Sequence, residues 1–177
     1  QQDKKPFFFA GLKFFNVYGP NEYHKGRMAS VIWHAYRQIQ SNGSLKLFKS
    51  HRDDFQDGEQ MRDFSYVDDV ANLLLCSGLA ASRQPSWEVA NVGSGVVLSV
   101  RQFVECVGAA LLRHQLVLEA RYDARPPSAH DSPFYAPSVE KMNQMMAPEM
   151  ERTSLTAGVA KTVEAMLAAT ENDYLQP

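Results

Sequence analysis

Apolar and polar residues alternate along this chain in blocks that predict strands and helices in turn. From Phe7 to Val17 the sequence is aromatic and β-branched with little polar interruption, which is typical of a strand buried on both faces in a parallel sheet. After Pro20, apolar residues from Met28 to Ile39 recur at a helical period, and Asn42-Gly43 indicates where that helix ends. The first predicted elements are therefore a strand, a loop and a helix.

The alternation continues through the rest of the sequence. Further strands are predicted at 45–48, 62–67, 87–92 and 116–122, and further helices from 70 to about 79, from 100 to 114, around 139–146 and from 155 to about 170. Asp68 or Asp69 can cap the second helix, and Ser99 with Gln102 resembles a capping box at the third. This order predicts an α/β fold. The polar segment from Lys49 to Met61 is long enough to suggest a functional loop.

Composition limits the classes of function. The 177 residues, 45% of them hydrophobic, can bury one sizeable core, and the formal net charge of −2 gives no global attraction to nucleic acid or acidic membranes. No apolar run approaches the roughly 20 residues that span a bilayer. Cys76 and Cys106 fall in apolar helical patterns without metal-ligand spacing, so they are predicted to be buried free thiols, and the cytoplasm is the expected compartment.

A basic cluster, His24-Lys25-Gly26-Arg27, stands just before or at the first turn of the predicted helix. Cations there oppose the helix macrodipole at a cost of about 0.3–1 kcal/mol each, so stability would not favour them. One interpretation is an anion site formed by these side chains and free backbone N–H groups, where the positive helix end disfavours a charged lysine and suits it to acid–base chemistry. The alternative is a solvated basic loop.

Three other positions have both a functional and a structural interpretation. Arg62 follows the polar segment and could fork two hydrogen bonds onto a phosphate, or it could pair with Asp53, Asp54, Asp57 or Asp63 at the surface. His34 lies two and a half turns beyond Lys25, on another face of the helix, and is more typical of an interface or core polar group. Asn91-Val92-Gly93-Ser94-Gly95 lacks the third glycine of a phosphate loop and predicts a tight strand-to-helix turn.

Three segments, in their order and spacing, resemble the extended short-chain dehydrogenases that act on nucleotide sugars. They are Phe15-Asn16-Val17-Tyr18-Gly19-Pro20, Arg62-Asp63-Phe64-Ser65-Tyr66-Val67-Asp68-Asp69-Val70 and Asn91-Val92-Gly93-Ser94-Gly95. Within that superfamily, the run from Gly19 through His24-Lys25-Gly26 to Val31 is similar to the signature of ADP-glycero-manno-heptose 6-epimerases. The resemblance implies the C-terminal portion of a Rossmann-type α/β fold with the smaller substrate-binding domain.

The resemblance also implies roles for residues. Lys25 would be a catalytic acid/base, and His24 would line the NADP site. The residues expected to bind substrate are Asn16, Arg27, His34, Phe48, Lys49, Ser50, His51, Arg62 and Tyr135. Position 27 is Arg here, where some relatives carry a small Ser. The family's chemistry is oxidation of a sugar carbon by NADP+, rotation of the ketone, and return of hydride to the opposite face.

Two motifs of such enzymes do not occur in these residues: Gly-x-x-Gly-x-x-Gly after an N-terminal strand, and Tyr-x-x-x-Lys. We therefore expect residues 1–177 to be the C-terminal half of such an enzyme, without the N-terminal glycine-rich cofactor half and inactive by itself. The expected partners are an ADP-sugar and either further copies of the chain or the missing half, with no nucleic acid and no membrane. The alternatives are a non-catalytic nucleotide-sugar-binding or assembly module, and another nucleotide-sugar epimerase or dehydratase.

Overall fold

The structure, a computed structural model, describes residues 8–80, 86–124, 134–135, 138–145 and 151–169. Its strands are β1 (Phe8–Phe14), β2 (Asn16–Tyr18), β3 (Ser44–Phe48), β4 (Met61–Tyr66), β5 (Ser86–Val92), β6 (Val97–Ser99), β7 (Glu119–Asp123) and β8 (Phe134–Tyr135). Its helices are α1 (Val31–Asn42), α2 (Val67–Ala80), α3 (Val100–Leu112), α4 (Glu140–Met145) and α5 (Leu155–Ala168), and a 3₁₀ helix spans Tyr23–Met28. The predicted strands and helices are thus present, with ends displaced by a few residues.

Parallel pairing dominates the described strands. β1 pairs with β5, β2 with β4, and β3 with β7, each in parallel. β4 also pairs with β6 in antiparallel fashion and with the short β8 in parallel. Parallel neighbours need long crossover connections, and helices lie in the sequence between the paired strands. The predicted α/β fold is confirmed.

The main core lies where α1, α3 and α5 pack against β2, β3 and β4. Phe103 of α3 is fully buried and stacks on Phe64 of β4, with ring centroids 3.8 Å apart. A smaller cluster joins α2, β5 and α4 through Val70, Val92 and Met142. None of the described helices combines the length and hydropathy needed to cross a bilayer.

The first apolar run differs from its prediction. It is divided at Phe15 into β1 and β2, and about half the surface of Phe9 and Phe14 is exposed, 51% and 49%. Successive side chains of a strand point to opposite faces, so Leu12, which packs on the cluster of α2 and α4, lies opposite Phe9. The prediction of a strand buried on both faces is therefore wrong for β1.

The basic cluster also sits differently from its prediction. His24, Lys25 and Arg27 lie in the 3₁₀ helix, and α1 starts only at Val31, with Ser30 as its N-cap. The chain changes direction at Gly26, whose φ of 53° favours glycine. Met28 is 87% exposed and contributes nothing to the core. The helical period extended too far toward the N-terminus, so the basic side chains precede α1 and lie outside its first turn.

Two further sequence predictions concern helix ends and cysteines. Ser99 and Gln102 form both bonds of the predicted capping box at α3. Asp68 and Asp69 instead lie inside the first turn of α2, which begins at Val67, so neither occupies the capping position that was predicted. Cys76 and Cys106 are free but only half-buried; burial raises the pKa of the Cys106 thiol.

Candidate functional site

A cavity of about 490 Å3 opens between α1, β3, the start of β4, the start of α3 and the segment 49–60. Seven of the nine residues expected to bind substrate line it: Arg27, His34, Phe48, Lys49, Ser50, His51 and Arg62. They come from four separate stretches of the chain. The fold therefore brings together side chains that the sequence only indicated one by one.

The lining combines positive charge with an apolar floor. The cations are Arg27, Lys49 and Arg62, together with Lys46 and Arg52, which form ion pairs with Asp123 and Asp54. The apolar floor includes Val31, Leu45, Leu47, Phe48 and Val100. No Asp or Glu stands among the described lining residues. Such a surface suits a ligand with anionic groups attached to a flat or apolar body, since guanidinium and ammonium groups both bind phosphate.

The segment 49–60 is fixed at its base by α3. Arg101 donates from its backbone N to the Gly58 carbonyl at 2.8 Å and from its guanidinium to the Asp57 carbonyl at 2.5 Å. The Asp57 carboxylate in turn accepts a hydrogen bond from the Ser50 N–H at 2.7 Å. Ser50, one of the predicted substrate residues, is thereby held by a chain of bonds that starts at the N-terminal end of α3.

The position of Arg62 agrees with the interpretation that its guanidinium binds a phosphate of a ligand. One guanidinium nitrogen donates to the Met61 carbonyl at 2.7 Å, and the side chain lines the cavity. Of the four aspartates proposed as surface partners, Asp54 pairs with Arg52, which holds the pKa of that carboxyl below its usual range. Asp57 accepts from Ser50, and Asp63 is fully buried. Three of the four carboxylates thus make other contacts.

Four predicted residues lie outside the lining. Asn16, on β2, donates from its side-chain amide to the Asp63 carbonyl at 3.0 Å. His24 and Lys25 lie in the 3₁₀ helix, where the Tyr23 and His24 rings meet edge to face. The backbone of Tyr135 pairs with Arg62 through β8, which places it beside the cavity, but its side chain lies outside the described residues.

The glycine-rich segment after β5 does not form a phosphate loop or a strand-to-helix turn. It leads into β6. The backbone N–H groups of Ser94 and Gly95 donate to the Asp63 carboxylate at 2.6 and 2.8 Å, so they are not available to a phosphate. Gly93 approaches so closely that an added Cβ would lie 2.6 Å from an Asp63 oxygen. The predicted tight turn is present, but it joins two strands and binds a protein carboxylate.

Sequence reasoning missed several residues of this region. Lys46, Gln38 and Gln60 line the cavity, and Glu22 forms a salt bridge with Lys25. Lys46 lies two residues before Phe48, so period-2 alternation places both on the same exposed face of β3, a signal that could have revealed Lys46. Glu22 carries no such signal, because a carboxylate in a loop is usually exposed and this one is 2% exposed.

Known proteins show similarity to this chain at the level of sequence and fold. An ADP-L-glycero-D-manno-heptose-6-epimerase of Nitratidesulfovibrio vulgaris (strain DP4) is 38% identical over 166 residues, which cover 92% of this chain and 49% of that protein. Another, from Fusobacterium nucleatum subsp. nucleatum, is 58% identical over 74 residues, 42% of this chain and 22% of that protein. The chain thus spans about half the length of the first relative and matches a shorter part of the second.

A solved structure is similar to this chain in fold. MoeE5 in complex with UDP-glucuronic acid and NAD superposes with a TM-score of 0.68 at 26% identity, covering 89% of this chain and 46% of that one. The model of the NAD dependent epimerase/dehydratase family matches residues 1–93. Because that match extends over more than half of the 177 residues, the chain belongs to the NAD dependent epimerase/dehydratase family.

Proposed function

We propose that this chain is the C-terminal, substrate-binding half of a nucleotide-sugar epimerase that acts on an ADP-heptose. The observation that carries the proposal is the cavity lined by Arg27, His34, Arg62 and the run Phe48 to His51. These residues were selected by resemblance to heptose epimerases, yet they surround one space. Two relatives that bear the name ADP-L-glycero-D-manno-heptose-6-epimerase support the choice of substrate.

The charge and shape of the cavity suit this substrate class. A nucleoside diphosphate sugar presents two phosphates, which the guanidinium of Arg62 and the neighbouring cations can bind. Its flat base can pack on the apolar floor, and polar groups such as His34 and Gln38 can meet hydroxyl groups of the sugar. A pocket with a few placed polar groups on an apolar surface is the usual form of such a site.

The proposed chemistry assigns the remaining residues. Lys25 would accept or donate the proton of the hydroxyl oxygen on the carbon that exchanges hydride, Asn16 would contact the substrate, and Tyr135 would complete the substrate side next to Arg62. When bound, a nicotinamide cofactor, which we expect to be NADP, takes and returns the hydride. His24 would lie at its edge, but the turn at Ser94 and Gly95 does not fit its pyrophosphate, because Asp63 occupies both N–H groups. The cofactor's phosphates would therefore be held elsewhere in the complete enzyme.

A second candidate is a module that binds the nucleotide sugar without turning it over. It is favoured by one observation: described residues of this chain line the cavity with both cations and apolar side chains. Conversion of ADP-heptose when this chain is tested together with a glycine-rich N-terminal half would support the epimerase, and binding without conversion under the same conditions would support this candidate.

Calorimetry with ADP-heptose, ADP, UDP-glucose and GDP-mannose tests the proposal. ADP-heptose should bind more tightly than the UDP and GDP sugars, and Arg62→Ala should weaken its binding by about 1.5–3 kcal/mol, since a hydrogen bond to a charged group is lost. Arg113→Ala is the control, because Arg113 is exposed at the opposite end of α3. Preference for a UDP or GDP sugar would indicate another epimerase or dehydratase, and no binding at all would refute the proposal. NMR of the heptose product then separates turnover from binding.

A further inference from the structure

Glu22 is a carboxylate buried in the loop between β2 and the 3₁₀ helix. Only 2% of its surface is exposed, and four donors surround it. One oxygen accepts from the Gly19 N–H at 3.2 Å and the Ser30 hydroxyl at 2.6 Å. The other accepts from the Ser30 N–H at 2.7 Å and lies 3.5 Å from the Lys25 ammonium. Burying an ionised carboxylate is costly unless it is paired and bonded, and here it is both.

Glu22 also binds the N-cap residue of α1. Ser30 is the N-cap residue, yet its hydroxyl makes no capping bond to the helix and donates to Glu22 instead. A negative charge at a helix N-terminus is stabilised by the macrodipole. The carboxylate is therefore anchored to Ser30, the N-cap of the helix whose His34 lines the cavity.

Of the four donors around Glu22, only Lys25 carries a charge that the carboxylate balances. Gly19 and Ser30 are neutral donors, and an amide oxygen could accept from part of them. Lys25 is a cation, and its side chain is 35% exposed, so it keeps contact with solvent while its ammonium faces the buried carboxylate. The ion pair of Lys46 with Asp123 has the same 3.5 Å separation, but both side chains are mostly exposed, 64% and 52%.

We propose that Glu22 is the positioning residue for Lys25. Its carboxylate, fixed to the backbone on both sides of the 3₁₀ helix, holds the lysine ammonium in one place relative to the N-cap of α1. The acid/base role of Lys25 rests on the proposed function, whereas the positioning itself does not. Glu22 thereby links Gly19 and Ser30, the residues on either side of the segment that carries Lys25.

The test measures the reactivity of individual lysines in three proteins: wild type, Glu22→Gln and Ser30→Ala. Glu22→Gln can keep bonds to Ser30 while removing the charge, and Ser30→Ala removes one neutral donor while keeping the charge. After brief acetylation with an N-hydroxysuccinimide ester, mass spectrometry gives the rate at each lysine. Lys25 should react about fivefold faster in Glu22→Gln, the factor that corresponds to loss of a pair of about 1 kcal/mol. It should change less than twofold in Ser30→Ala, and Lys46 and Lys161 should not change in either variant.

Equal acceleration of Lys25 in both variants would show that Glu22 only fastens the loop, and would overturn the proposal. If Glu22→Gln does not fold, NMR of the ¹⁵N-labelled lysine ammonium groups in the wild-type protein gives the answer. The Lys25 ammonium should then be more ordered than that of Lys46, and equal mobility would refute positioning. Neither measurement uses a nucleotide sugar. A failure of ADP-heptose to bind therefore does not affect the test of positioning, and a failure of positioning does not affect the binding test.

Discussion

Asp63 shows how one buried side chain can organise a region near the cavity. It is fully buried, and its carboxylate accepts from the N–H groups of Ser94 and Gly95 and from the Ser65 hydroxyl at 3.3 Å. Its backbone carbonyl accepts from Asn16 at 3.0 Å. One residue thus links β2, β4 and the turn after β5, next to the arginine that we propose binds phosphate.

We predict that Asp63→Asn lowers the free energy of unfolding by about 2–4 kcal/mol. The amide nitrogen of asparagine would face at least one backbone N–H, which leaves a buried donor without an acceptor. Urea denaturation followed by fluorescence measures the change, and Asp53→Asn, an exposed change in the 49–60 segment, should stay within about 0.5 kcal/mol. A loss below 1 kcal/mol for Asp63→Asn would mean that the three bonds contribute little.

Some residues of this region could be predicted from the sequence and others could not. The resemblance identified Arg62, and its neighbour Asp63 entered only as a possible surface partner. The acceptor role of Asp63 depends on Ser94 and Gly95, 31 and 32 residues later, and nothing in local spacing indicates that pairing. Buried polar partners that are distant in sequence are set by the fold, so pattern alone could not find this one or Glu22.

At the scale of elements, α5 fits closely against the strands because of one glycine. Gly158 is buried in the first half of the helix, and a Cβ there would lie 2.5 Å from the Tyr18 hydroxyl and 3.1 Å from the Tyr66 ring. Glycine is otherwise unfavourable inside a helix by about 1 kcal/mol relative to alanine. Its presence allows α5 to approach β2 and β4.

Paired glycine substitutions should therefore have opposite effects. We predict that Gly158→Ala destabilises the protein by about 1–3 kcal/mol through overpacking. Gly78→Ala, in the exposed part of α2 where an added Cβ meets nothing within 4 Å, should stabilise it by about 0.5–1 kcal/mol. Thermal and urea unfolding of both variants checks the pair. A stabilising Gly158→Ala would show that the tyrosines move aside without cost.

The elements themselves were largely accessible from the sequence, and their failures have a common cause. Periodicity predicted α3 and its capping box because those signals are local. It failed at Met28, which continues the helical period although the chain forms a separate 3₁₀ helix before Ser30. It failed again at Phe9, since an apolar strand indicates burial but does not say which element covers it. Local patterns give the type of element, and tertiary packing decides its ends and its exposed face.

At the scale of the whole molecule, two tyrosines lie at the junction of its layers. Tyr18 and Tyr66 are 2% and 4% exposed, and their ring centroids are 5.7 Å apart. Burial, with the charges of Asp68 and Asp69, raises the pKa of Tyr66 to about 12. Burial also raises the pKa of Tyr18 well above its ordinary value. Both hydroxyls therefore stay protonated in the folded protein throughout the neutral range.

Alkaline conditions should expose this arrangement. Above the ordinary tyrosine pKa of 10.0, the unfolded chain loses protons that the folded protein keeps. The contribution of the two tyrosines to the free energy of unfolding is therefore fully present below about pH 10 and is lost as the pH rises toward 12. Each tyrosine should contribute a slope of up to about 1.4 kcal/mol per pH unit in that window, the limit for a difference of one full proton. Urea denaturation at intervals from pH 8 to the highest pH at which the protein stays folded measures this slope.

Tyr18→Phe and Tyr66→Phe should each remove the slope of one tyrosine, and the double variant should remove both. If the slope of the double variant equals that of the wild type, other groups cause the alkaline loss, and these two hydroxyls ionise as readily in the folded protein as in the unfolded chain.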